Sequence, residues 1–179
     1  MEIAYLIYDI LPEQYHEDIK RLLVMADKEF FPPLSSRVST TQNHFHDNAS
    51  IHNEKDTILL YFKALLKQCF ILAVDNDRVA GFLSFRKNHT YIDIDVLSEN
   101  AYVSTICIDV EYRRHGIANC FYDKLETIKD IPFVYTRTWD QNYSHIYLLK
   151  KRNYELLYEI VDDRAPGINT VYYGKKIGV

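Results

Sequence analysis

The sequence predicts an α+β (mixed) fold, a mainly antiparallel β-sheet with helices packed on it, as one domain over residues 1–179. Three observations predict it. Short β-branched and aromatic runs at 69–74, 79–85, 91–96 and 102–108 follow one another with turns or loops between them, the order of an antiparallel sheet and not of alternating βα units. Apolar residues at helical spacing mark amphipathic helices before and after that block. The composition, 47% hydrophobic and 26% charged with five Gly and five Pro, excludes a disordered or low-complexity chain and shows no linker or repeat.

Residues 3–8 open the chain as a short strand. Pro12 then starts a helix where its missing N–H costs nothing, with Glu13 in the acid-preferring first turn. Tyr15, Ile19, Leu22, Leu23 and Ala26 form its apolar face. Residues 31–53 hold Pro32 and Pro33 and many Ser, Thr, Asn and His, and a connection of ~20 residues is long enough to expect function in it. Asp56 is placed to cap a second helix with Ile58, Phe62, Leu65 and Leu66 as its stripe. The runs 69–74 and 79–85 around Asp75, Asn76 and Asp77 read as a hairpin. Residues 91–96 alternate apolar and acidic, with Asp93 and Asp95 outward, and 102–108 is the next strand. A turn leads into a helix over 116–129, whose Ile117, Phe121, Leu125 and Ile128 share one face. A strand over 133–138, a helix over 142–152 and strands over 155–161 and 170–176 complete the chain.

A net charge of −4 without a long basic run argues against nucleic acid, whereas short basic clusters such as Arg113 with Arg114 suit a small anion. The N-terminus lacks a basic n-region, and apolar runs of six residues fall far short of the ~20 that cross a bilayer, so no membrane partner is expected. Cys69, Cys107 and Cys120 show no CxxC spacing, which fits a soluble protein of the reducing cytoplasm. His44, His46 and His52 lack zinc spacing and read as loop residues, so no metal is expected.

The most informative stretch runs from Thr105 to Asn119: a strand ends, a basic turn follows, and Gly116 and Ala118 stand at the start of a helix. A helix start offers unpaired N–H groups to an anion, and glycine lets the backbone approach it. Neither the dinucleotide G-x-G-x-x-G nor the P-loop pattern is present. Arg113-x-x-Gly116-x-Ala118 instead resembles the acyl-CoA-binding motif of the GNAT superfamily of N-acetyltransferases, Arg/Gln-x-x-Gly-x-Gly/Ala after a central strand. The apolar alternation of Ile106, Ile108 and Val110 precedes it as in that family, although the frequent Pro at the last position is Val here. The segment from Asn142 through His145, Leu148 and Leu149 to Tyr154 is similar to the family's second motif, Asn-x-x-Ala-x-x-Leu-Tyr-x-x-x-Gly-Phe.

The resemblance implies a GNAT-like central, splayed sheet of about seven strands flanked by about four helices. It implies acetyl-CoA as cosubstrate, with the pantetheine arm between parted strands and against the backbone from Ile106 through Cys107 to Ile108. The pyrophosphate would lie on Arg113, Arg114, His115, Gly116, Ile117 and Ala118, with Asn119 just inside the helix and Asn142 touching the arm from the other side. The implied reaction is direct acetyl transfer, in a ternary complex, to a primary amine of a small molecule or peptide. A catalytically impaired CoA-binding sensor or partner-binding module is the alternative.

Such transfer needs an ammonium of pKa ~10.4 to lose its proton, a donor for the thioester oxygen (a backbone N–H near Ile108) and a departing thiolate. The family's Tyr that protonates the thiolate is Leu149 here, and Tyr147 lies ~200° from it around the helix. The carboxylate some members carry on the central strand falls at Tyr102. Candidates for proton transfer are therefore Asp109, Glu111, Asp140 and His145, with Tyr102, Tyr112 or Tyr147 as acids, while Cys107 reads as a core residue. Phe30, Phe31, Pro33, Leu34 and Arg37 are candidates for the acceptor pocket, with Arg37 either pairing an acceptor carboxylate or simply solvated. The terminal strands offer an edge for a homodimer, and most of the fifteen Tyr are assigned to packing.

Overall fold

The computed structural model describes residues 2–37, 39–42, 45, 54–91 and 93–178. The strands β1 (Ile3–Tyr8), β2 (Cys69–Asp75), β3 (Arg78–Lys87), β4 (Ala101–Ile108), β5 (Phe133–Trp139), β6 (Glu155–Ala165) and β7 (Ile168–Lys176) form one sheet in the order β1-β2-β3-β4-β5-β7-β6. Every neighbouring pair is antiparallel except β4 and β5, which run parallel. The helices are α1 (His16–Ala26), α2 (Glu54–Leu65), α3 (Ile117–Glu126) and α4 (Tyr143–Lys151). The chain thus adopts the expected α+β class, with a sheet that parts between its parallel strands.

Helices cover both faces, which explains why β2 reads as a continuous apolar run: its centre has no solvent side. On one face α3 and α4 bring Ile117, Phe121, Leu125 and Leu149 against Ile71, Leu83, Val103 and Val134. On the other, α1 and α2 bring Ile19, Leu22, Leu23, Tyr61 and Leu65 against Phe70, Leu72, Phe82 and Cys107. A third group joins five aromatic rings, Tyr91, Tyr102, Phe133, Tyr135 and Tyr172, with Ile94.

In the β3–β4 ladder Ser84 pairs with Thr105 and the next residue, Phe85, pairs with Val103, so Ser104 is an extra, bulged residue. The bulge shifts the alternation by one. Val103, Ile106 and Ile108 belong to the α3 side, while Cys107 packs toward α1 and α2.

The described residues of 91–96 form no strand. Tyr91 and Ile94 make an isolated bridge, and the Ile94 N–H closes back on the Tyr91 carbonyl at 3.2 Å. Their alternation has a different cause: Tyr91 and Ile94 bury in the aromatic group while Asp93 and Asp95 face water. Helix α2 already starts at Glu54, two residues before the expected cap, and β6 runs four residues further than 155–161. His44, His46 and His52 lie outside the described residues.

Candidate active site

Strands β4 and β5 stay paired for three residues, from Ala101 opposite Val134 to Val103 opposite Thr136. The Thr136 hydroxyl closes that ladder by donating to the Val103 carbonyl at 3.0 Å. Beyond this point β4 keeps β3 on one side and, among the described residues, has no strand on the other. The gap opens into a cavity of about 310 Å³, whose walls include Ser104 and Ile106 of β4, Thr138 and Trp139 of β5, and Asn142 and His145 at the start of α4.

The turn after β4 ends at Gly116, which caps α3 in the left-handed region at φ +79°, with nothing within 4 Å of where a Cβ would stand. The first helical bond runs from the Cys120 N–H to the Gly116 carbonyl at 3.0 Å, so the N–H groups of Ile117, Ala118 and Asn119 precede the ladder and have no intrahelical acceptor. Ala118 lines the cavity, and Arg114, His115 and Gly116 are exposed. Arg113 braces the turn: its Nε donates to the Ile108 carbonyl at 3.0 Å, and its Nη2 pairs with Glu29 at 2.8 Å. Asn119 is held by Arg152, the residue that follows α4, at 2.7 Å to Oδ1.

Asn142 positions α4. Its Oδ1 accepts from the His145 N–H at 3.5 Å and its Nδ2 donates to the Thr138 hydroxyl at 2.9 Å. His145 Nε2 lies 2.9 Å from the Tyr122 hydroxyl. Burial lowers the His145 pKa to about 4, so the ring is neutral near pH 7. Leu149 is fully buried in the core between α4 and the sheet, and the cavity wall on that helix is formed by Ser144, His145 and Leu148.

Most expected proton-transfer residues are placed elsewhere, and Asp109 is the clearest correction. It is 2% exposed, accepts from Arg21 at 2.6 Å and Arg78 at 2.8 Å, and caps its own turn through the Glu111 N–H at 3.2 Å. Burial alone would raise its carboxyl, but the Arg21 and Glu111 hydrogen bonds and the Arg78 charge outweigh burial and hold it below the usual carboxylate range. An anion so held is a poor proton acceptor. Tyr102 is buried against Tyr135 and His89, with ring centroids 5.0 and 4.9 Å away, and is not in the cavity wall. Tyr147 is 70% exposed on α4, away from that wall. Tyr112 donates to Asp75 at 3.0 Å, Glu111 pairs with Arg78, and Asp140 does not line the cavity. The Cys107 thiol sits in the α1–α2 core, where burial pushes its pKa up and disfavours a nucleophilic thiolate.

The cavity instead presents groups that no motif marked: Glu29 just after α1, Trp139 and Arg137 on β5, and Arg164 on β6. Of the expected acceptor residues, Phe30 and Arg37 line it. Among the described residues, no group of three or more His, Cys, Asp or Glu is placed to hold a metal, and no helix is long and apolar enough to cross a membrane.

Solved structures share this architecture at low identity. A GNAT-family protein from Desulfovibrio desulfuricans aligns with TM-score 0.68 and 10% identity over 99% of this chain and 100% of its own. NAA60 of Arabidopsis thaliana, solved with a bisubstrate analogue, gives 0.62 and 16% over 98% and 99%. The yncA protein of Salmonella typhimurium, solved with its cofactor acetyl-CoA, gives 0.64 and 8% over 100% and 96%. A search of curated proteins finds no match. The acetyltransferase (GNAT) family model matches residues 37–129, from the loop before α2 through the bulged strand and the glycine turn to the end of α3. That match spans more than half the sequence and contains the parting strand and the bare helix start, and the chain belongs to the GNAT acetyltransferase family.

Proposed function

We infer that the protein transfers the acetyl group of acetyl-CoA to a primary amine of a small molecule or peptide, directly between two bound substrates. The observation that carries this reading is the strand edge of β4, freed at Val103 and opening onto the cavity beside the α3 N-terminus. An extended amide-bearing arm is complementary to such an edge, and a pyrophosphate to the uncapped N–H groups of Ile117, Ala118 and Asn119. The residues present fit: Gly116 keeps the approach open, and Arg113, Arg114 and His115 surround it. The arm would lie along the backbone of Ile106, Cys107 and Ile108, with Asn142 holding the opposite wall through Thr138.

In this reading the N–H groups of β4 near Ile108 face the thioester oxygen as charge develops on it. Glu29 takes the ammonium proton, directly or through a water; it is the carboxylate among the described lining residues, and its partner Arg113 belongs to the same turn. His145 precedes Leu149 by one helical turn and so shares its side of α4. Its neutral ring, fixed by Tyr122, supplies one N–H donor for the departing thiolate where the family places a tyrosine.

Saturating acetyl-CoA should raise the melting temperature, by about 2.7 kcal/mol of stabilisation at 100 times Kd. Gly116→Glu puts a side chain and a negative charge into the phosphate site and should abolish the shift. A wild type that shows no shift overturns the reading. Thiol release across a panel of amines then measures turnover.

A further inference from the structure

The cavity lining carries two unlike chemistries. Ala118 at the start of α3 is part of it, and so are three guanidiniums, Arg37, Arg137 and Arg164, brought together from the segment before α2, from β5 and from β6. All three pack on the ring of Phe45, at 5.2, 4.8 and 4.3 Å from its centroid. Arg164 also lies 5.7 Å from the Trp139 ring. Arg37 and Arg164 are 9% and 8% exposed, so the positive charge is set deep in the molecule.

Stacking on aromatic faces orients these groups but does not neutralise them. Among the described residues their hydrogen bonds go to uncharged oxygens. Arg37 donates twice to the Pro32 carbonyl, at 3.1 and 2.9 Å. Arg137 donates to the Gln42 carbonyl and the Tyr172 hydroxyl, and Arg164 to the Thr170 hydroxyl at 3.0 Å and the Phe31 carbonyl. A guanidinium carries five donors in a planar fork, more than these bonds among the described residues use, and all three arginines line the cavity. The buried carboxylate of the network, Asp163, accepts from Thr170 at 2.6 Å and from the Phe45 N–H at 3.3 Å. Among the described residues one carboxylate stands against three guanidiniums, an excess of positive charge, and burial with the charges of Arg37 and Arg137 pushes Arg164 down to about 8. An enclosed excess of one sign is costly until a counter-ion enters.

We propose that the acceptor is a small amine bearing a carboxylate, which seats on Arg37, Arg137 and Arg164 and leaves the amine toward Glu29 and the β4 edge. The assignment rests on the acetyl-transfer reading above, and it narrows the acceptor from amines in general to amino-carboxylates. The fork of a guanidinium matches a carboxylate in two parallel hydrogen bonds, and three such forks hold an anion that a neutral analogue cannot replace. The cavity volume suits a compact acceptor and not a folded partner.

The test pairs 4-aminobutyrate and 5-aminopentanoate with their carboxamides, and phosphoethanolamine with ethanolamine, in a thiol-release assay on the full chain. The carboxylates should exceed their carboxamides in kcat/KM by roughly 10- to 100-fold, the worth of one or two charge-assisted hydrogen bonds. Arg137→Gln should erase that ratio and keep the acetyl-CoA thermal shift, which shows that the variant is folded. Calorimetry with glutarate, which cannot be acetylated, reads the arginines without turnover: wild type should bind it and Arg137→Gln should not. Equal use of acids and carboxamides overturns the proposal and leaves acetyl transfer standing, as does a strong preference for phosphoethanolamine over every carboxylate. Failure to bind glutarate overturns it whether or not any amine is acetylated. Loss of the acetyl-CoA shift in wild type instead strikes the cosubstrate reading alone, because the glutarate arm needs no acetyl-CoA.

Discussion

Asp109→Asn separates an anchoring role from a catalytic one. The side chain is 3% exposed and accepts from two guanidiniums, while Arg21 and Arg78 are 36% and 48% exposed. Removing one member of a fully buried pair costs about 3–5 kcal/mol, and of an exposed pair about 0–1. This site lies between the two. Arg21 keeps Asp18 at 3.1 Å and the Val79 carbonyl at 2.8 Å, and Arg78 keeps Glu111 at 3.0 Å, so neither cation is stranded. A loss of about 2 kcal/mol follows, which for a chain of this length lowers the melting temperature by about 5 °C. The depressed carboxyl pKa gives the pH dependence. The folded state binds the proton less well than the unfolded one, so the contribution is present above the unfolded value of about 3.9 and is lost as pH falls through the folded value. Wild type and Asp109→Asn should therefore differ at pH 7 and converge at the acid end of their stability profiles. Urea unfolding at several pH values measures this, and thiol release on the same samples measures rate, expected to stay within a few-fold. A variant of unchanged stability with kcat down by roughly 10²–10⁴, the usual contribution of a general base, would refute the anchor and restore Asp109 to catalysis.

Two further substitutions probe α4. Leu149→Tyr restores the family residue at a fully buried position, so it should overpack the core by about 1–3 kcal/mol without raising turnover; a faster enzyme of unchanged stability would contradict that placement. His145→Gln should lower kcat while leaving the acetyl-CoA thermal shift intact. It should also flatten the stability profile between pH 6.5 and 4, where the unfolded chain protonates this ring and the folded one does not, a slope of about 1.4 kcal/mol per pH unit at most. The comparison with wild type isolates His145 from His89, whose pKa burial also lowers to about 4.

The fold was legible because its signals are local. Continuous apolar runs, a glycine at a helix start and two amphipathic helices after the parting strand each declare themselves within a dozen residues, and the family motif falls on the bare turn that the structure shows at Gly116. The alternation at 91–96 misled for a physical reason: burial of Tyr91 and Ile94 in an aromatic pocket produces a strand-like pattern without a neighbouring strand. Two of the catalytic candidates are placed away from the cavity for another reason. Asp109 and Tyr102 are adjacent to the cofactor motif in sequence, but β4 has two faces and a bulge at Ser104, and both side chains are committed to partners away from the cavity.

The acceptor end of the site could not be read from spacing at all. Arg137 and Arg164 stand on strands separated from each other by β7, and each is an unremarkable charged residue in its own segment. What unites them with Arg37 is one aromatic ring, Phe45, and the irregular pairing of β6 between Ile160 and Ala165, where Asp163 and Arg164 are buried while the eight residues before Asp163 remain wholly or partly exposed. That reversal in burial is the physical clue: an outer strand has no packing need to bury an arginine and an aspartate side by side. If the carboxylate site exists, Arg164→Met should be tolerated in stability, since it removes a buried excess charge, and should still lose acceptor preference. If the arginine is merely structural, the same substitution should cost stability and leave the preference as it was. Thermal melts and the acid-to-carboxamide ratio, read on one protein sample, decide between them.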